Sequence, residues 1–247
     1  MRKSIKYSFI GLLALGFVAL ASVVHAYPAV GVAIWPSVYG MEYAGSHIIV
    51  DKAMPAQTRA DLLRDAEAAT AVVRTFYGAF HRQPILVACS TEACARKLKE
   101  QDTMGLAIPT PFRPIVSLSP NGLNLTILTH EFAHTELDYR VGLWVRATGT
   151  FPVWFDEGVA VLVSEDSRYL NPGTTASQRC LRYSERPLPT SPFDWSSKAT
   201  KDEMLYPDAV CRVLQWMEAN GGKAGLLNTI DAVANGVAFS PENGRRN

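Results

Sequence analysis

The run His130-Glu131-Phe132-Ala133-His134 limits what this chain can fold into more than any other five residues. An H-E-x-x-H pattern has chemical meaning only on a helix, where a four-residue step returns to one face, sets two imidazoles a turn apart and leaves a carboxylate beside them. Such a helix needs one face for packing and another that can hold a ligand. Leu125, Leu128 and Phe132 recur at i, i+3 and i+7, which predicts a helix from Leu123 to Asp138 with Asn121 as its N-cap. At about 100° per residue, Ile127, His130 and His134 align while Leu128 and Phe132 point roughly the opposite way into a core. The two histidines read as zinc ligands, and Glu131 as the general base for an activated water.

Two histidines do not close a zinc site, so a third protein ligand is required. Downstream, Phe151-Pro152-Val153-Trp154-Phe155-Asp156-Glu157-Gly158-Val159-Ala160 reads as a second helix opening at Pro152 and continuing through Val163. Glu157 lies in its early turns between Phe155 and Val159. A carboxylate among apolar residues needs a partner, and zinc supplies one; as an exposed residue it would instead be favoured by the helix dipole. Glu136 is rotated about 200° from His134 and points away. Asp138 and Asp156 are both candidates to orient a ligand histidine through an outer hydrogen bond, and the sequence does not choose between them.

The segments His130 to His134 and Trp154 to Ala160, with 22 residues between His134 and Glu157, resemble the gluzincin superfamily of zinc metallopeptidases. That group includes thermolysin-like and aminopeptidase N-like enzymes. The likeness is specific from Leu123 to Val163 and weak elsewhere. It implies a zincin-like domain, one Zn2+ held by His130, His134 and Glu157, Glu131 as base, and a peptide or protein substrate. It also implies a substrate-binding edge strand, with Ile115-Val116-Ser117-Leu118 as the candidate and an interior strand without a substrate role as the alternative reading of those residues. Tyr206, just before a helix opening at Pro207, stands at a distance from Glu157 resembling that of the family's transition-state tyrosine, with Tyr183 as the next candidate. Gly40-Met41-Glu42-Tyr43 is only superficially similar to an exopeptidase signature, and Val161 stands where thermolysin-like enzymes carry an acidic residue. Endopeptidase action is therefore the expectation. Two rival readings are a zinc-binding module that no longer cleaves and a zinc amidase acting on a cell-wall amide.

The N-terminal 26 residues have a basic start (Arg2, Lys3, Lys6), an apolar run from Phe9 to Val24 and a Val24-His25-Ala26 cleavage site. They read as a secretory signal peptide, with an uncleaved membrane anchor as the alternative. Removing them takes three of the 24 Lys and Arg and none of the 23 Asp and Glu, leaving a net charge near −2 that points away from nucleic acid. The remaining 221 residues suffice for one domain, in the periplasm or outside the cell. Four cysteines in an exported chain imply disulfides; of three connectivities, Cys89 with Cys94 and Cys180 with Cys211 is favoured, because the first pair is close enough to staple a turn.

Periodicity gives an irregular lead from Tyr27 to Tyr43, a strand at His47 to Val50, and an amphipathic helix from Pro55 carrying Leu62, Ala66, Ala69, Val73 and Tyr77. Further strands are expected at Pro84 to Ala88, Gly105 to Ile108 and Pro114 to Leu118, with a short helix from Thr91 to Gln101 between them. Asn171 to Thr200 reads as a long loop, and two helices follow, from Pro207 and around Leu226 to Val233. The order predicts an α+β fold, a small mixed sheet beside the metal helix followed by a mainly helical C-terminal lobe. His47 and His81 read as structural or surface residues.

Overall fold

The computed structural model describes residues 2–100, 102–142, 144–145 and 150–240, with side chains from residue 14 onward. The fold is α+β with a mixed sheet, and the contacts divide the chain into two compact units.

The first unit comprises residues 1–63, 85–106 and 115–123. The sheet, all in this unit but for the last two residues of β4, contains β1 (Met41–Tyr43), β2 (Ile48–Asp51), β3 (Ile85–Ala88), β4 (Gly105–Ile108) and β5 (Ile115–Leu118), in the order β1-β2-β3-β5-β4. β1 pairs antiparallel with β2, whereas β2 with β3 and β3 with β5 are parallel. Leu86, Val87, Ala88, Val116 and Leu118 are buried, as expected of short apolar strands covered on both faces. Two expectations are corrected here. Ile115 to Leu118 is an interior strand, and the edge position beside it belongs to β4. The lead to Tyr43 is not irregular: it contains α2 (Pro28–Ile34), which buries Ala29 and Val32 and packs on β3 and β5, and then β1.

Upstream of α2 lies α1 (Arg2–Ala26). Among the described residues no single helix is long and apolar enough to cross a membrane; only Ala14–Ala26 and Pro28–Ile34 taken together, with a 114° bend, have that length and composition. Past β3, α4 (Glu92–Leu98) is capped by the Thr91 hydroxyl, which accepts from Cys94 N. The Cys89–Cys94 disulfide staples this strand-to-helix turn, with Cα atoms 5.4 Å apart. α3 (Ala56–Tyr77) starts in this unit and buries the expected Leu62, Ala66, Ala69, Val73 and Tyr77.

The second unit comprises residues 64–84, 107–114 and 124–247. Its centre is α5 (Leu125–Val141) packed on α6 (Val153–Ser164), with α9 (Leu205–Ala219) against α6 and α10 (Gly222–Ala234) against α5 and α9. The cap of α5 is Asn124 rather than Asn121: the Asn124 side chain accepts from Ile127 N at 3.0 Å, while Asn121 lies in a preceding 3-10 turn. α5 is also not half open, since every residue from Ile127 to Asp138 is buried. Its polar residues are tolerated because each has a partner. Thr129 and Thr135 donate back to Leu125 O and Phe132 O, and Glu136 accepts from Arg140 Nε, His81 N and His81 Nδ1.

Residues 171–200 are corrected from a loop to a stretch with two short helices, α7 (Ala176–Arg179) and α8 (Pro192–Ala199). Thr175 and Gln178 form a capping box and Ser191 caps α8, so the polar residues that made the stretch look structureless are its helix starts. The second disulfide, Cys180–Cys211, ties this stretch to α9. Both disulfides match the expected pairing and are consistent with an exported protein. From Pro241 on the sequence reads as a frayed terminal tail, and those residues lie outside the described ones.

Candidate metal centre

α5 and α6 bring three ligand atoms together. His130 Nε2 and His134 Nε2 are 3.0 Å apart, and Glu157 Oε2 lies 3.4 Å from the first and 3.5 Å from the second. A tetrahedral ion with bonds of about 2.0 to 2.1 Å spaces its ligands roughly 3.3 Å apart, and these three separations fit one face of such a tetrahedron. The Glu157 oxygen is buried and accepts no hydrogen bond, and two imidazole nitrogens face each other beside it. An orphaned carboxylate oxygen and two converging nitrogens are a costly arrangement without a cation between them. The group could hold a metal ion.

The electrostatics agree with the geometry. Burial pushes the pKa of Glu157 up, but the charge of His134 and the neighbouring His130 outweigh it and hold the carboxyl well below the usual range. Burial lowers that of His134, yet Asp156 and Glu157 prevail and raise it well above 6.5. The centre therefore favours positive charge, which a metal ion delivers in place of a proton.

Asp156 settles the choice left open by the sequence. Its Oδ1 lies 2.8 Å from His134 Nδ1, where it accepts the ring N–H and leaves the Nε2 lone pair facing the centre. Asp138, the other candidate for this contact, is buried on the same helix as His134. Glu136 points away as expected, fully buried under His81 and Arg140.

Glu131 is buried beside the ligands, and burial, only partly offset by His130 and His134, raises its pKa. The Ala107 main chain of β4 donates to its carboxylate. Tyr206 is not ahead of a helix but inside the first turn of α9, which begins at Leu205. Its ring lies 6.3 Å from that of His130, and burial followed by the Glu157 charge raises its pKa, keeping the hydroxyl a donor. Tyr183 is exposed, with its hydroxyl donating to Glu185. His81 closes the back of α5 through Glu136, and His47 lies in the first unit, immediately before β2.

Two further aromatic residues reach Tyr206. Tyr169 stacks on it with ring centres 5.0 Å apart and planes 11° from parallel, and Trp195 meets it edge-on at 5.1 Å. The sequence reading did not reach Tyr169; its only signal is the run Asp166-Ser167-Arg168-Tyr169 directly after the second helix.

No protein-family model, curated protein or solved structure matches the chain.

Proposed function

We propose that the chain is a zinc-dependent metallopeptidase of the gluzincin type, exported and acting as an endopeptidase. The observation that carries this reading is the tetrahedral convergence of His130, His134 and Glu157 with the Glu131 carboxyl alongside. Zinc, when bound by these three residues, would supply Lewis acidity and bring a water near neutral pKa. Glu131 would take the proton from that water and hand it to the leaving amine, a task suited to a carboxyl whose pKa burial has raised. Tyr206, neutral and close to His130, would donate its hydroxyl to the oxyanion formed from the peptide carbonyl. Ala107, in contact with Glu131 within the second unit, would take the substrate-pairing role first expected of residues 115–118.

One observation favours the rival reading of a zinc-binding module that does not cleave: His130, Glu131 and His134 are each less than 10 % exposed. Metal analysis and a mixed peptide library separate the two. Wild type should carry one zinc and cleave, His134→Ala should lose the metal, and Glu131→Gln should keep it while losing roughly 100- to 10,000-fold in rate. Zinc without cleavage in wild type would favour the binding module. Equal zinc in wild type and His134→Ala would refute the metal centre itself.

A further inference from the structure

We propose that Asp166, Arg168 and Tyr169 form a brace that fixes the ring of Tyr206 at the metal centre, Tyr169 being the positioning residue in contact with it. The inference rests on the reading of Tyr206 as the oxyanion donor. It begins with a helix end that carries more than termination requires. α6 stops at Ser164, and Glu165, in the left-handed conformation (φ 47°), already caps it through hydrogen bonds from its N–H to Val161 O and Leu162 O. Beyond the cap, Asp166 is nonetheless buried, with 1 % exposure. Its carboxylate takes Arg168 N at 3.0 Å and Arg168 Nε at 2.9 and 3.1 Å, and Arg168 Nη2 as well. Its carbonyl takes Tyr169 N at 2.9 Å and Leu170 N at 3.1 Å. A buried carboxylate is tolerated only when saturated in this way, and saturating it here locks both the backbone and the guanidinium of the segment.

The locked guanidinium lies over the Tyr169 ring, 5.0 Å from its centre. Tyr169 in turn lies nearly parallel to Tyr206 at 5.0 Å, while Trp195 of α8 stands at 88° to the same ring at 5.1 Å. A tyrosine has two side-chain torsions, and a hydroxyl that must meet a developing charge has to be held within about 0.5 Å of its place. A parallel ring fixes the plane of Tyr206 and an edge-on ring limits its swing. The brace and the ligand Glu157 leave opposite ends of one helix, so the parts that hold the metal and the parts that hold the hydroxyl share α6.

The experiment compares Tyr169→Ala, Tyr169→Phe, Arg168→Met and Tyr206→Phe, with zinc content, near-ultraviolet circular dichroism of the zinc-free proteins, and steady-state kinetics on one cleaved peptide. Tyr169→Ala should keep one zinc, measurably change the tyrosine region of the aromatic circular-dichroism band and lower kcat by about tenfold with little change in KM. Tyr169→Phe keeps the stack and should restore both signals. Arg168→Met, a milder change that serves if Tyr169→Ala does not fold, should move both in the same direction to a smaller extent. In the double variant Tyr169→Ala with Tyr206→Phe, kcat should be no lower than in Tyr206→Phe alone. An unchanged kcat and dichroism in Tyr169→Ala, beside a slow Tyr206→Phe, overturns the brace and leaves the role of Tyr206 standing. A Tyr169→Phe as slow as Tyr169→Ala also overturns it, because the hydroxyl of Tyr169 would then be the group in use. An unchanged kcat in Tyr206→Phe removes the reading on which the brace rests, a separate failure from the first.

Discussion

Asp156 accepts from His134 Nδ1 at 2.8 Å and so turns the Nε2 lone pair of His134 towards His130 and Glu157. Removing it leaves the ring free to choose its tautomer and orientation. Asp156→Ala should therefore weaken zinc binding by about 10- to 100-fold, measured by titration against a competing chelator; unchanged affinity would show that the hydrogen bond is incidental. Glu131 gives a residue-scale expectation of opposite sign. Because its folded pKa is raised by burial, the protonated form contributes stability below the ordinary value near 4.5, and that contribution is lost as pH rises through the folded pKa. Above that ordinary value, neutral pH included, the zinc-free wild type therefore carries the cost of the raised pKa. Zinc-free Glu131→Gln should melt at a higher temperature than wild type there, with the gap closing in acid; coincident melting curves at neutral pH would refute this. The convergence of His130 and His134 was legible in the sequence because a helix turns spacing into geometry, whereas Glu157 was reached through its apolar neighbours and the gluzincin likeness. Asp156 was not distinguishable from Asp138, because the rotation of α6 against α5 is set by packing that no local pattern encodes.

At the scale of elements, the approach of α6 to α9 carries Tyr206 to the metal ligands, and Gly158 makes that approach possible. A Cβ at Gly158 would lie 2.7 Å from Ala209 O and 2.7 Å from Val213 Cγ2, with backbone on one side and no room to yield. Gly158→Ala must push the helices apart. It should cost about 1 to 3 kcal/mol and lower kcat while zinc stays bound, a combination that denaturant titration and metal analysis detect together. A milder element-scale change is Asn124→Ala, which removes the cap of α5 and should cost about 1 kcal/mol by the same titration. Elements as such were readable from periodicity; their neighbours were not. β5 looks like an edge strand in isolation and is interior because strand order depends on how the chain crosses over. Residues 171–200 hid two helices of four and eight residues, too short to display a period.

For the whole molecule, the Cys180–Cys211 bond is the longer of the two disulfide constraints, closing a separation of 31 residues around α8 and the first turns of α9. In the chain-entropy account it stabilises by roughly 3 to 4 kcal/mol, so replacing both cysteines by alanine should lower the unfolding free energy by about that amount, read from complete denaturant curves in which the slope rises as the unfolded chain loses its cross-link. A drop of much less would mean that Arg182 and Arg186, both paired with the buried Asp208, already hold this stretch to α9. The burial of α5 on all sides from Ile127 to Asp138 has a kinetic side as well. Amides in such a segment exchange with solvent only when the fold opens as a unit, so the helix carrying both histidines belongs to the last part of the protein to come undone. Hydrogen exchange at those amides would then serve as a clock for the unfolding of the protein as a whole, running independently of any traffic of ions or peptides at the imidazole tips of the two histidines.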